Sequence, residues 1–237
     1  MINHNDTTTR RKTSARKGVD RETVAVAADH AKSPSGVLKQ LTVNALNQVT
    51  ELYTNGHHST TFSYDLNGNL TEKTEYLETT EYEYDYENRL VGIVYADGGS
   101  TEFVYDALGR RLKTIEKDSE GIVIDETHYV YDGLDLIAEL DGNNALVASY
   151  THGPGIDDPL LMNYDGENYF FLKNHLGSIT EITDIYQNTV KTYDYDAYGK
   201  ILAESGSLAH NAFTYTAREY HPRSGLYYYR ARFYDPE

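Results

Sequence analysis

Apolar and polar positions alternate along most of this chain. From Gln40 onward, aromatic or β-branched residues alternate with Glu, Thr and Asp, which is the two-residue period of a half-buried β-strand. Each run ends in turn-forming residues, so the pattern predicts successive β-hairpins that pair edge to edge in one curved antiparallel sheet. The aromatic sets that define the runs are Phe62 with Tyr64, Tyr82 with Tyr84 and Tyr86, Phe103 with Tyr105, Tyr129 with Tyr131, Tyr193 with Tyr195, Phe213 with Tyr215, and Tyr227 with Tyr229.

A Tyr-Asp pair recurs at the end of these runs. The first four pairs are 20, 21 and 26 residues apart. A repeat of this length is typical of proteins in which each unit buries its apolar face only against its neighbours. Six of the Tyr-Asp pairs form this series, and we interpret them as structural repeat positions: Tyr64-Asp65, Tyr84-Asp85, Tyr105-Asp106, Tyr131-Asp132, Tyr195-Asp196 and Tyr234-Asp235.

The residues after the aspartate predict a tight turn. An aspartate at the start of a turn can accept hydrogen bonds from nearby backbone N–H groups, and a glycine supplies the positive φ that closes the loop. Gly68, Gly109 and Gly199 each lie three residues after such an aspartate. Asn88 takes this position after Asp85, and asparagine also tolerates positive φ.

Composition narrows the possible functions. The chain has 23 Tyr but no Trp and no Cys, so neither disulfides nor a thiolate metal site can hold it together. Its net charge is −16, the sum of +4 in residues 1–39 and −20 in residues 40–237. Because the acidic part repels nucleic-acid phosphates, no nucleic-acid partner is expected. No cofactor is expected, because the sequence lacks phosphate-loop, dinucleotide and Ser-His-Asp patterns.

The chain divides into three segments. Residues 1–39 are basic, with a net charge of +4, and are expected to be disordered. Residues 40–149 are expected to form the Tyr-Asp hairpins, and residues 150–237 a distinct C-terminal part that begins with a turn-rich link. No apolar run reaches the ~20 residues of a membrane span, and no signal-peptide core is visible.

Several motifs resemble a known family. The Tyr-Asp units resemble the YD repeats of the RHS and teneurin type, and residues 150–237 resemble the RHS repeat-associated core truncated at its C-terminus. Asn174 stands where that family commonly has Asp. The matching stretches are His175-Leu176-Gly177-Ser178, Tyr195-Asp196-Ala197-Tyr198-Gly199, Phe213 to Glu219, and Ser224 to Pro236.

The resemblance implies a β-sheet ribbon that spirals into a hollow shell. In bacterial polymorphic toxins such a shell encloses a toxic C-terminal domain, and in animal teneurins a similar shell serves adhesion. The implied partners are a C-terminal toxin domain or further shell repeats. The implied location is either export from the cell or the cell surface, reached by a specialised secretion system. The resemblance therefore predicts a structural wall segment that is not catalytic as it stands.

The resemblance also implies an alternative, which is self-cleavage by an aspartic-protease-like core. The matching arginine would be Arg232, with Arg230 as second choice. The two aspartates of that site belong to motifs beyond Glu237, and Asp235 does not replace them. Arg230 and Arg232 have even spacing and are expected to share a strand face, where a structural salt bridge is an equal interpretation.

The length of the chain limits what it can enclose. Ten hairpins give about 20 strands, and at ~4.8 Å per strand the ribbon is about 95 Å long. Closed into a ring, it would be about 30 Å across, too narrow for a folded domain of about 100 residues. We therefore expect further repeats or a partner to complete any shell.

Other candidate sites have simpler interpretations. Asp65, Asn67 and Asn69 have part of the spacing of a calcium loop, but turn chemistry is favoured. His57 and His58 are adjacent and would point to opposite faces of a strand, so they do not suggest a metal site. His175 is expected to lie in a core turn.

Two further hypotheses concern acidic and aromatic groups. Asp157-Asp158 could form a carboxylate pair for acid–base chemistry, although its Gly and Pro neighbours favour a solvated turn. Exposed tyrosine faces could bind glycans, which gives a carbohydrate-binding or adhesion module as a further alternative function.

Overall fold

The computed structural model describes residues 39–237, so the predicted basic segment lies outside the described residues except for Lys39. The chain divides into two compact units, residues 1–58 and residues 59–237. In the first unit, β1 (Lys39–Val43) and β2 (Val49–Thr54) pair antiparallel. Apart from one 3₁₀ turn, Tyr215–Ala217, every described element is a β-strand.

The second unit is built on a ladder of strands in sequence order. From β3 to β16, each strand pairs antiparallel with the next one along the chain, which confirms the predicted all-β class and the run of antiparallel hairpins. The strands are β3 (His57–Tyr64), β4 (Leu70–Glu75), β5 (Glu78–Tyr84), β6 (Leu90–Val94), β7 (Ser100–Tyr105), β8 (Arg111–Lys117), β9 (Val123–Asp132), β10 (Asp135–Asp141), β11 (Leu146–His152), β12 (Pro159–Tyr164), β13 (Glu167–Lys173), β14 (Ile179–Thr183), β15 (Thr189–Tyr195) and β16 (Ile201–Gly206).

One turn geometry joins many of these strands. At Asp106, a side-chain oxygen accepts the N–H of Leu108 at 2.8 Å and the N–H of Arg110 at 2.9 Å. Gly109, the third residue after the aspartate, has a φ of 80° and donates its N–H to the carbonyl of Asp106. The same side-chain hydrogen bonds occur at Asn44, Asp65, Asp85, Asp118, Asp141, Asn174, Asp184 and Asp196.

This turn does not always coincide with the Tyr-Asp dipeptide. Asp132 ends β9 beside a two-residue hairpin turn, and among the hydrogen bonds of the described residues it makes none of the turn bonds found at Asp106. Tyr86 was predicted to share a strand face with Tyr84, but it lies inside the Asp85 turn and is fully exposed. The period-two pattern continues across a turn, although the strand itself has ended.

Tyrosine hydroxyls link successive hairpins. The hydroxyl of Tyr195 donates to the carbonyl of Ile179 at 2.7 Å, and the hydroxyl of Tyr105 donates to the carbonyl of Leu90. In both pairs the acceptor is the first residue of an earlier strand in the ladder. A tyrosine can therefore pack its ring on the sheet and satisfy its hydroxyl on a neighbouring backbone group.

The sheet ends at Gly206, so the last two aromatic sets, Phe213 with Tyr215 and Tyr227 with Tyr229, do not join it as the prediction of one sheet implied. Gly206 has a φ of 114°, and a Cβ there would lie 2.1 Å from the carbonyl oxygen of Val190. The chain turns at this glycine and Leu208 donates its N–H to Val190. Residues 207–237, here named the C-terminal segment, form a separate sheet of β17 (Glu219–His221), β18 (Leu226–Tyr228) and β19 (Phe233–Tyr234).

The C-terminal segment packs on the face that carries the apolar side chains of the ladder. Phe213 inserts among Tyr150 and Phe171, with ring centroids 4.9 and 6.1 Å away. Leu226 fills a second cluster with Ile93 and other residues of β6 and β7. This packing hides apolar surface that a lone sheet would expose to water, at roughly 25 cal/mol per Å² buried.

The described residues include no helix that is long and apolar enough to cross a membrane.

The turn geometry yields a first prediction. Asp106→Ala removes an acceptor from two backbone N–H groups and from the Arg110 side chain, so we expect the free energy of unfolding to fall by about 1–2 kcal/mol. Asp106→Asn keeps the oxygen that accepts both N–H groups and should cost less than about 0.5 kcal/mol. Urea denaturation followed by circular dichroism measures both changes.

Asp132→Ala is the matched control, because Asp132 also follows a tyrosine but lies at a different turn. We expect this variant to stay within about 0.5 kcal/mol of the wild type. An equal loss in Asp132→Ala and Asp106→Ala would show that the turn hydrogen bonds are not what stabilises these positions.

Candidate functional site

Four groups of charged or polar side chains join the C-terminal segment to the sheet, and this interface is the candidate site. The most buried contact is the ion pair of Arg111, the first residue of β8, with Glu219 of β17. Only 3% of the Arg111 side chain and 12% of the Glu219 side chain are exposed. The Arg111 guanidinium lies over the rings of Tyr129 and Tyr228, with its central carbon 4.2 and 4.7 Å from the two ring centroids.

Burial controls the ionisation of this pair. Removal from water raises the pKa of Glu219, and the adjacent Arg111 lowers it in part. Because the pKa of Glu219 is raised in the folded state, its carboxyl group contributes to folding stability at pH values below its unfolded pKa. That contribution is lost as pH rises through the pKa of the folded state. The arginine is therefore required to hold a charged Glu219 in the interface at neutral pH.

A second group surrounds Glu116 of β8. Its carboxylate contacts Nε2 of His221 at 2.7 Å and accepts from Nη1 of Arg223 at 2.7 Å. The hydroxyl of Thr101 donates to the same carboxylate at 3.0 Å. Burial raises the pKa of Glu116, but the hydrogen bonds from His221 and Arg223 outweigh that effect and the pKa is lowered.

A third group surrounds Glu139 of β10. Nε2 of His210 lies 2.7 Å from the Glu139 carboxylate, and the Tyr150 hydroxyl donates to the same oxygen. Burial lowers the pKa of His210, yet the hydrogen bond that His210 donates to Glu139, together with the negative charge of Glu139, raises this pKa above its usual value overall. Burial, with Glu139 beside it, raises the pKa of Tyr150 well above the usual range.

A fourth group is centred on Asp157, in the link between β11 and β12. Arg218 and Arg230 both bind its carboxylate, at 2.6 and 2.8 Å. The neighbouring Asp158 forms an ion pair with Lys173. The prediction of a solvated turn at Asp157-Asp158 is therefore wrong: the link is anchored because opposite charges approach it from the C-terminal segment and from β13.

The two candidate arginines lie in different surroundings. Arg230 has a φ of 62° and lies between β18 and β19, so it does not share a strand face with Arg232 as predicted. Arg232 is exposed and takes part in none of the ion pairs of the described residues. Asp235 accepts a hydrogen bond from Nζ of Lys73 at 3.2 Å, which ties the end of the chain to β4.

The possible metal ligands do not converge. Asp65 forms the turn described above, with the Asn69 amide donating to its second oxygen at 2.8 Å. His57, His58 and His175 are exposed. Within residues 39–237, no group of three or more His, Cys, Asp or Glu side chains is placed to hold a metal ion.

The sequence contains one signal for this site that the pattern analysis missed. The residue five positions after the turn aspartate is apolar in Leu70, Leu90 and Ile201, but Arg111 holds this position after Asp106. A charged residue at a core position of a repeat indicates a buried partner elsewhere in the chain. Its partner, Glu219, is 108 residues away, and no local spacing identifies it.

The buried pair yields a second prediction. Arg111→Met leaves Glu219 buried without its partner, so the free energy of unfolding at neutral pH should fall by about 3–5 kcal/mol. The loss should shrink as pH falls and Glu219 becomes protonated. Chemical denaturation across a pH series measures this dependence, and adding Glu219→Gln to Arg111→Met should recover much of the loss.

Arg110→Met provides the control in the adjacent residue. Arg110 forms a partly exposed pair with Asp106 and should contribute less than about 1 kcal/mol. A loss in Arg111→Met that equals the loss in Arg110→Met, or that does not vary with pH, would contradict the role assigned to the buried pair.

Comparisons with known proteins agree with this architecture. A family model described as the teneurin YD-shell matches residues 25–140. The tRNA nuclease WapA of Bacillus subtilis is 32% identical over 199 residues, which cover 81% of this chain and 8% of WapA. Salivary gland surface protein 1 of Aedes aegypti is 32% identical over 190 residues, covering 73% of this chain and 6% of that protein.

Two further similarities are to a curated protein and to a solved structure. The double-stranded DNA deaminase toxin A of Burkholderia cenocepacia is 25% identical over 206 residues, which cover 74% of this chain and 14% of the toxin. The crystal structure of TcdB2-TccC3 without its hypervariable C-terminal region is 10% identical, with a TM-score of 0.37, over 86% of this chain and 17% of that one. The chain thus spans a small part of each relative. From its repeats, its sequential hairpin ladder and the matching family model, this chain belongs to the RHS/YD-repeat shell proteins of the teneurin type.

Proposed function

We propose that this chain is a non-catalytic wall segment of a shell that encloses a polypeptide, in the manner of a bacterial RHS-type toxin. The observation that carries the proposal is the hairpin ladder, in which the strands from β3 to β16 pair in the order in which they follow one another along the chain. A wall of this kind can be extended rung by rung without changing the rungs already present. The named nuclease and deaminase toxins among its relatives support a toxin context.

The interface supports a structural role better than a catalytic one. Each buried carboxylate is paired with a cation or histidine that joins the C-terminal segment to the sheet. Such pairing stabilises the carboxylates in place and anchors the C-terminal segment to the sheet. The partners expected from this role are a polypeptide that follows the wall and further shell repeats that complete it.

The proposal predicts that the purified chain does not cut itself. Arg232 is exposed and has no carboxylate partner among the described ion pairs, so it lacks the arrangement that an aspartic-protease-like site requires. Intact mass spectrometry of the chain after prolonged incubation should show one unchanged mass, as it should for Arg232→Ala. A cleavage product from the wild type that is missing from Arg232→Ala would overturn the non-catalytic role.

Enclosure is tested by protease protection. Protein produced from the complete gene should carry a flexible reporter polypeptide directly after Glu237, and be treated with proteinase K. We expect the reporter to resist digestion in the wild type and to be digested in Arg111→Met, because loss of the buried pair loosens the wall. Arg110→Met, which removes partly exposed contacts with Asp106, Gly133 and Tyr131 but leaves the buried pair intact, should keep the reporter protected.

Equal digestion of the reporter in all three proteins would contradict enclosure, although it would leave the wall architecture unchanged. Digestion of the reporter in Arg110→Met as well as in Arg111→Met would show that protection depends on general stability and not on the buried interface.

A further inference from the structure

A cavity of about 400 Å³ lies between the C-terminal segment and the part of the ladder formed by the turn before β8 and by β9, β10 and β11. Its wall combines apolar side chains, among them Leu134 and Phe213, with the guanidinium groups of Arg110, Arg218 and Arg230. A mixed lining of this kind, with a few polar groups that converge on an apolar space, is the usual composition of a binding site.

Two of these arginines share a single acidic partner. Arg218 and Arg230 both bind the carboxylate of Asp157, so their two positive charges face one negative charge. Arg218 keeps 17% of its side chain exposed and Arg230 keeps 30%. Each guanidinium carries five N–H donors, and one carboxylate cannot use them all, so donors remain for a second acceptor.

The backbone around these residues is strained. Asp157, Ala217 and Arg230, which line the cavity, have φ values of 52°, 53° and 62°, and Thr216 beside them has a φ of 47°. Non-glycine residues seldom adopt positive φ, and a β-branched threonine does so least readily. A cluster of such residues marks positions that are held for a function.

Two residues that line the cavity have buried polar atoms without hydrogen-bond partners in the described part of the chain. The hydroxyl of Tyr131 and Nδ1 of His152 are buried and have no hydrogen-bond partner among the described residues. Nε2 of His152 donates to the carbonyl of Leu136 at 2.8 Å, so Nδ1 is an acceptor. The corresponding hydroxyls of Tyr105 and Tyr195, by contrast, donate to backbone carbonyls.

We propose that this cavity binds the carboxylate of an acidic peptide segment, with Arg218 and Arg230 as its guanidinium ligands. A planar guanidinium matches a carboxylate in two parallel hydrogen bonds. A phosphate dianion fits less well, because Asp135, Asp157 and Glu219 also line the cavity and repel a second negative charge. The peptide backbone supplies N–H and C=O groups of the kind that His152 and Tyr131 lack.

The test uses N-acetyl-glutamate N-methylamide as the probe and its glutamine counterpart as the neutral match. Titration of the ¹⁵N-labelled chain, followed by NMR, should show saturable shifts at the cavity with a Kd on the order of 1 mM for the glutamate probe. The glutamine probe should bind at least about fivefold more weakly, because it lacks the charge that the arginines recognise. Inorganic phosphate should not bind more tightly than the glutamate probe.

Arg230→Asn and Arg232→Asn are matched variants in one segment. Arg230 lines the cavity and Arg232 does not, and asparagine tolerates the positive φ of residue 230. We expect Arg230→Asn to weaken binding of the glutamate probe by about fivefold or more, and Arg232→Asn to change it by less than about twofold. Leu134→Glu, at an exposed position on the rim, adds a repelling charge without touching the ion pair and should also weaken binding.

Leu134→Glu keeps the test decisive if Arg230→Asn fails to fold. Equal affinity for the glutamate and glutamine probes, tighter binding of inorganic phosphate, or equal losses in Arg230→Asn and Arg232→Asn would each overturn the proposed site. So would the absence of saturable shifts at the cavity.

Discussion

The structure depends on one constraint, which is that the apolar face of the hairpin ladder must be covered. A ladder of antiparallel strands satisfies its backbone hydrogen bonds internally, but its period-two pattern leaves one face apolar. In this chain the C-terminal segment covers that face, with Phe213 in one cluster and Leu226 in another. The ladder and the segment therefore stabilise each other, although they are formed by distant parts of the sequence.

Charged contacts give this cover a defined position. Apolar packing is non-directional and tolerates sliding, whereas the pair of Arg111 with Glu219 can form in one register only. The contacts of Glu116 with His221 and of Glu139 with His210 fix further points along the same interface. A wall segment of a shell benefits from a cover that cannot shift.

The fold was predictable from local pattern, and the interface was not. Alternation identified the hairpins, and the aspartate followed by Gly109 or Asn88 identified the turns, because both signals act within a few residues. The same alternation led us to predict one sheet that includes strands after Gly206, because alternation cannot show which sheet a strand joins. Asp157 was interpreted as a solvated residue for a related reason: its partners, Arg218 and Arg230, are brought to it only by the tertiary fold.

Native-state hydrogen exchange in increasing urea tests the central claim most directly. If the C-terminal segment and the ladder stabilise each other, the amides of β17 and β18 should exchange through the same opening as those of β8 and β10, with the same free energy and the same dependence on urea. Exchange of β17 and β18 at a much lower free energy, while β8 and β10 stay protected, would show that the ladder is stable alone and would contradict the account.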